Sequence, residues 1–390
     1  MVADGSAPTH TAIKPSEGKT VNLKRRALSR AGSIAAIALA GTMVLSSCAA
    51  NEAPASGDGA GKAPSTLSGT LNGVGSSAQG AAEIAWGADF QKANTQVTIN
   101  YDPQGSGAGR TSFLSGAATF AGSDAALKDS ELATASPNCA PGTKPIDLPV
   151  YISPIAVAYN LDGVKDLKLD AATIAGIFKG TITSWDDPAI KSQNTGATLP
   201  SAPITVVHRS DDSGTTQNFT EYLSANAPTV WDKPAAQTYP YTVGDAAKGT
   251  SGVADAVKGA KNSITYIDES GAAGLSIAQL KVGSDYVKIN AAGAADVVAK
   301  SPVASGREDG DLAIAIDRTI TDANSWPMVL VSYLIVCQQY ADADKGALVK
   351  AYAEYVASDA GQQSAATNAG SAPLSKDLAT KVAKVIASIK

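Results

Sequence analysis

The chain has 390 residues, a formal net charge of −5, 17% charged side chains and 36 glycines. That length is ample for two domains, and the low charge with abundant glycine and alanine suits a compact α/β protein. The acidic balance argues against a nucleic-acid partner, which would need a basic footprint.

The amino-terminal segment is expected to be a lipoprotein leader. Lys24, Arg25, Arg26 and Arg30 form a basic stretch, and the apolar run 34–45 is too short to span a bilayer as a stable helix. It ends in Leu45-Ser46-Ser47-Cys48, which resembles the lipobox of bacterial lipoproteins, where the Cys is acylated and becomes the first mature residue. The polar stretch ahead of Asn22 is unusual before a leader and is consistent with a start at Val21. Residues 1–47 are therefore assigned to the leader and its extension. Residues 48–66, rich in Gly, Ala, Pro and Ser, are assigned to a flexible tether anchored to the outer face of the membrane. Removing residues 1–47 takes away six basic and two acidic side chains, leaving a net charge near −9. Any anion bound by the remaining body must be held by local dipoles and hydrogen bonds.

Short strand-like runs then alternate with helical patterns, as expected for α/β layers. Strands are predicted over 69–74, 97–101, 119–122, 149–159, 203–208, 263–267 and 328–336, and helices over 78–92, 108–115, 171–178, 216–223, 253–258, 345–358 and 376–389. The runs 151–159 and 327–336 are long and nearly continuously apolar, which fits strands crossing between two lobes, with the C-terminal helices returning to the first lobe. Besides Cys48, only Cys139 and Cys337 remain. Outside the cytoplasm they can form one disulfide; otherwise Cys337 is a buried thiol and Cys139 an exposed one in a Pro-rich loop.

Four turns carry the chemistry. The run Arg209-Ser210-Asp211-Asp212-Ser213-Gly214-Thr215 follows a strand and opens a helix. The first turn of a helix has amides without partners and partial positive charge, so this is an anion site in outline. Arg209 adds a permanent charge with fork geometry, and Ser213 and Thr215 add hydroxyl donors. Gly105-Ser106-Gly107-Ala108-Gly109 repeats the strand-to-helix arrangement, with glycines where backbone must approach a ligand closely. Its spacing is wrong for a dinucleotide fingerprint. Gly73-Val74-Gly75-Ser76-Ser77-Ala78 is a third such turn, and Gly122-Ser123-Asp124 ends a short strand with an acid. Hydrolytic chemistry fits poorly. His208 is the one histidine beyond the leader, no G-x-S-x-G elbow occurs, and no His, Cys and carboxylate residues have metal-ligand spacing. His208 is expected to be packed or half-exposed, and neither metal nor cofactor is expected.

From about residue 67 onward the order and spacing of these motifs, with Ser184-Trp185-Asp186-Asp187-Pro188-Ala189-Ile190 and Gly249-Thr250-Ser251-Gly252, resemble the PstS family, the phosphate-binding lipoproteins of bacterial high-affinity phosphate ABC importers. The resemblance implies a type II periplasmic-binding-protein fold with two α/β lobes, the first discontinuous (67–151 and 329–390) and the second spanning 152–328. It implies phosphate bound by groups matching Ser77, Ala78 (through its backbone N–H), Ser106, Asp124, Arg209, Ser213, Gly214 and Thr215, with Asp211 pairing Arg209. It also implies delivery of phosphate to a membrane permease powered by an ATPase, and no catalysis. Asp124 would discriminate, because an ionised carboxylate only accepts hydrogen bonds; phosphate near neutral pH carries a proton to offer and sulfate does not. The alternative for Asp124 alone is a cap for a helix over 125–132. The alternatives for the whole chain are a binding protein for another tetrahedral oxyanion, and a secreted phosphatase or sensor on the same fold.

Overall fold

The computed structural model describes residues 66–390; the leader, Cys48 and all but the last residue of the tether lie outside them. The first layer is laid down by β1 (Ser68–Gly75), α1 (Gly80–Ala93), β2 (Gln96–Asp102), α2 (Ser106–Leu114) and β3 (Phe120–Ser123). β1 pairs in parallel with β2 on one side and β3 on the other. The single turn α3 (Asp129–Leu132) precedes β4 (Pro145–Asn160), which is buried along all but its last residue.

Next come β5 (Lys168–Leu169), α4 (Ala171–Lys179), α5 (Pro188–Gln193), β6 (Thr205–Arg209), α6 (Gly214–Asn226), β7 (Asp245–Ala247), α7 (Gly249–Gly259) and β8 (Ser263–Asp268). A 3-10 turn, Glu269–Ala272, leads to β9 (Ser276–Ile277), β10 (Gln279–Val282), β11 (Asp285–Val287) and α8 (Ala291–Lys300). The chain closes with β12 (Val329–Cys337), α9 (Ala343–Ala357), α10 (Asp359–Ala369) and α11 (Lys376–Ser388).

One curled sheet runs in the order β2-β1-β3-β12-β4-β8-β6-β7, with β9 also on β4. β4 changes partner along its length. Residues 145–154 pair antiparallel with β12, and residues 155–160 pair with β8. β12 in turn pairs with β3, so β4 and β12 are the strands that join the two ends of the sheet. Such strands lie between covering layers on both faces, which explains why both read as unbroken apolar runs. A second, small sheet has the order β11-β10-β5.

β4 begins four residues before its expected start, despite Pro145, Pro149 and Pro154. Its register against β12 shifts between Ser332 and Tyr333, where Tyr151 and then Pro149 face successive β12 residues and Val150 is the extra residue. Proline is tolerated at such bulges because a ladder donor is already missing there. Cys139 and Cys337 are joined in a disulfide, with Cα atoms 5.3 Å apart, linking the loop before β4 to the end of β12.

Candidate anion-binding site

Four parallel strands hand their carboxyl ends directly to helices: β1 to α1, β2 to α2, β6 to α6 and β7 to α7. In open α/β sheets this edge is where ligands bind, because helix amides and dipoles converge there. The helix starts are built for that role. Ser213 caps α6 by accepting from the Thr216 amide at 3.1 Å, leaving the first-turn amides of Gly214 and Thr215 without intrahelical acceptors. Gly105 starts α2 from φ 107°, a conformation that favours glycine, and a Cβ there would lie 2.4 Å from Asp211 Oδ2.

The predicted residues meet. Ser106, Asp124, Arg209, Ser213, Gly214 and Thr215 are all buried. The Asp124 amide donates to Ser106 Oγ at 3.1 Å, Thr215 Oγ1 lies 3.3 Å from Asp124 Oδ2, and Asn218 Nδ2 donates to the Asp124 carbonyl at 2.7 Å. A Cβ added to Gly214 would fall 2.6 Å from Asp124 Cβ and 2.7 Å from Ser106 Oγ. Only glycine lets the start of α6 sit this close to the first layer.

The charges are local and balanced. Arg209 is 4% exposed, and its Nε donates to Asp211 Oδ1 at 2.8 Å while Nη2 donates to Oδ2. Although burial acts to raise it, the bonds and charge of Arg209 and the amide of Gly249 hold the Asp211 carboxyl below its usual range. Burial pushes the Asp124 carboxyl upward; the hydroxyls of Ser332 and Ser76, the charge of Arg209 and the hydroxyl of Thr215 pull the other way. Asp124 caps no helix: residues 125–128 are not helical, and its oxygens face Ser332 and Thr215.

Ser77 and Ala78 sit at the start of α1 with neighbours of their own. Ser77 Oγ accepts from the Thr250 amide at 3.0 Å and lies 3.1 Å from Thr250 Oγ1, so the α7 start reaches across to the α1 start. The Ala78 amide donates to Ser76 Oγ at 3.1 Å. Sequence reasoning gave no role to Ser76, Thr250, Asn218 or Ser332. Ser76 and Thr250 lie inside quoted motifs and could have been picked up there. Asn218 and Ser332 carry no local signal. His208 stacks on Tyr239 with ring centroids 3.9 Å apart. Among the described residues, no three His, Cys, Asp or Glu side chains are grouped to hold a metal ion, and no helix is long and apolar enough to cross a membrane.

A mixed α/β body with one curled sheet, whose ends are linked through the long strands β4 and β12 and whose helix N-termini are brought together, has the architecture of the periplasmic-binding-protein class. The model of the PBP superfamily domain matches residues 60–360. The chain is 36% identical over 370 residues to phosphate-binding protein PstS2 of Mycobacterium bovis, covering 92% of this chain and 99% of the relative. It is 39% identical over 289 residues to phosphate-binding protein PstS 3 of Mycobacterium leprae, covering 73% and 77%. A high-affinity periplasmic phosphate-binding protein solved with phosphate is similar with a TM-score of 0.65 at 23% identity, over 80% of this chain and 93% of that one. The chain belongs to the periplasmic-binding-protein superfamily and, within it, to the PstS family of phosphate-binding proteins.

Proposed function

We propose that the protein captures inorganic phosphate in its proton-bearing form and delivers it to a membrane permease driven by an ATPase. The observation that carries this is Asp124: a buried carboxylate placed among donors, against the start of α6. A bound oxyanion needs donors for most of its oxygens, since an unpaired buried polar atom costs about 1–3 kcal/mol. Ser77, Ser106, Ser213 and Thr215 supply hydroxyls. The amides of Gly214, Thr215 and Ala78 supply N–H groups, the last by sharing its proton with Ser76. Arg209 supplies charge tempered by Asp211. Asp124 is then the one group that accepts, and it favours a ligand with a proton to give.

In this reading the lobes are 67–151 with 329–390, and 152–328, closing by hinge motion on β4 and β12. Acylated Cys48 tethers the body to the outer face of the cell membrane. The protein binds and releases without turning its ligand over. Calorimetry on ligand-stripped protein with phosphate, arsenate and sulfate tests the proposal. Tight binding of phosphate and arsenate with no sulfate heat is expected, and silence toward phosphate would end it.

A further inference from the structure

We propose that Ser332, on the joining strand β12, positions the Asp124 carboxylate so that Oδ1 is held by the protein and Oδ2 is the oxygen that takes the ligand's proton. The proposal rests on the phosphate reading above and adds to it a residue of the selectivity device that lies outside the ligand cage.

Ser332 is fully buried, and its Oγ donates to Asp124 Oδ1 at 2.6 Å. A serine hydroxyl has one proton, so this donation commits it. An O–H···O⁻ bond of this length belongs to the strong charge-assisted class. The other oxygen has a looser neighbour, Thr215 Oγ1 at 3.3 Å. The carboxylate is thus pinned at one oxygen and open to a stronger partner at the other.

The aim of Ser332 comes from the strand. β12 is held on one edge by β3, where Tyr333 pairs with Ser123 just before Asp124, and on the other by β4. The β4 register shifts between Ser332 and Tyr333, and bulges re-aim the side chains beside them. The extra residue, Val150, has its carbonyl taken by Gln362 Nε2 at 2.9 Å, which fixes the irregularity in place. Because β12 joins the lobes, the orientation of the proton acceptor is tied to the strand that must flex on closure.

Groups from every neighbouring element face this carboxylate. Arg209 of β6 acts on it by charge, and Asp268 of β8, Tyr101 of β2 and Tyr151 of β4 feel its charge in return. Ser76, Ser106 and Thr215 complete the polar surround. Burial raises the Asp124 carboxyl, and the Ser332 hydroxyl is the largest influence restraining it. Removing that hydroxyl raises the carboxyl further. More of it is protonated at a given pH, and a protonated acid no longer accepts the ligand's proton. The acidic loss of phosphate binding therefore begins at higher pH in Ser332→Ala than in the wild type. Comparison at matched pH cancels the ligand's own titration.

The test is calorimetry with phosphate and sulfate between about pH 5.5 and 8.5 on the wild type, Ser332→Ala, Asp124→Asn and the double variant. Ser332→Cys, close in volume and a weak donor, is a second variant in case alanine disturbs folding. Ser332→Ala is expected to weaken phosphate binding by about ten-fold at neutral pH, the size of one lost hydrogen bond to a charged group. Its acidic limb should move up in pH, and its discrimination against sulfate should narrow. In the Asp124→Asn background the serine change should cost nothing further, because the two act as a unit. An unchanged pH profile and sulfate ratio, or an equal loss in both backgrounds, overturns the positioning role while wild-type phosphate binding stands. A wild type silent toward phosphate overturns the phosphate reading and this proposal together.

Discussion

A buried carboxylate surrounded by donors is stable only as the acceptor of something, and at Asp124 three elements supply candidates. The hydroxyls of Ser332 and Thr215 meet its two oxygens, and Arg209 lies close enough to act by charge. Replacing it with Asn swaps one acceptor oxygen for a donor group, which suits a fully ionised oxyanion better than a protonated one. Asp124→Asn is expected to reduce the phosphate-to-sulfate affinity ratio by at least ~100-fold, since sites built on one hydrogen-bonded group discriminate by ~10⁴-fold or more. Competition calorimetry reads that ratio directly, and an unchanged ratio would remove the proton-acceptor role. The pairing of Arg209 with Asp211 was implied by the family resemblance. Ser332 was not: 208 residues separate it from Asp124, and within an apolar run it looked like one polar position in a strand.

At the scale of elements, the start of α6 is the tightest joint in the site. Gly214 faces Asp124 Cβ and Ser106 Oγ with no room for a methyl group. Gly214→Ala is expected to hold the lobes apart, weakening phosphate binding by at least ~100-fold, in line with small misplacements of binding groups costing that much. The melting temperature of the ligand-free protein should change little, because the helix itself tolerates alanine. A variant that binds normally would show that the lobes need not approach this closely. The helix α11, whose Leu378, Val382 and Ile386 recur at helical spacing and are buried, was visible in the sequence. The helix α10, Asp359–Ala369, was not, because its run of alanines and small polar residues carries little apolar periodicity. It forms because Ser358 caps it and α1 packs against it, with Trp86 Nε1 donating to the Gly361 carbonyl at 2.7 Å. α8, whose only large apolar residues are Val297 and Val298, was not predicted either.

For the whole molecule, a covalent staple ties the end of β12 to the loop before β4. Cys337 ends β12, and its bond to Cys139 closes a loop of sequence separation 198. Constraining a loop that long stabilises a fold by about 2–5 kcal/mol, chiefly by limiting the unfolded chain. Cys139→Ser with Cys337→Ser should lower the denaturation midpoint accordingly while leaving phosphate affinity within a few-fold, since neither cysteine touches the cage. A large loss of affinity in a folded double variant would show instead that the staple sets the hinge. The sequence by itself determined the α/β alternation, the helix starts that present amides to an anion, and the motif order that marks the family, because these depend on residues a few positions apart. Only the tertiary structure decided which starts face each other, that Thr250 reaches Ser77, and that a serine of β12 holds Asp124. Those contacts span 91 residues between Asp124 and Thr215, 173 between Ser77 and Thr250, and 208 between Asp124 and Ser332. Across such distances, partnership is set by sheet order and packing, and no local pattern encodes it.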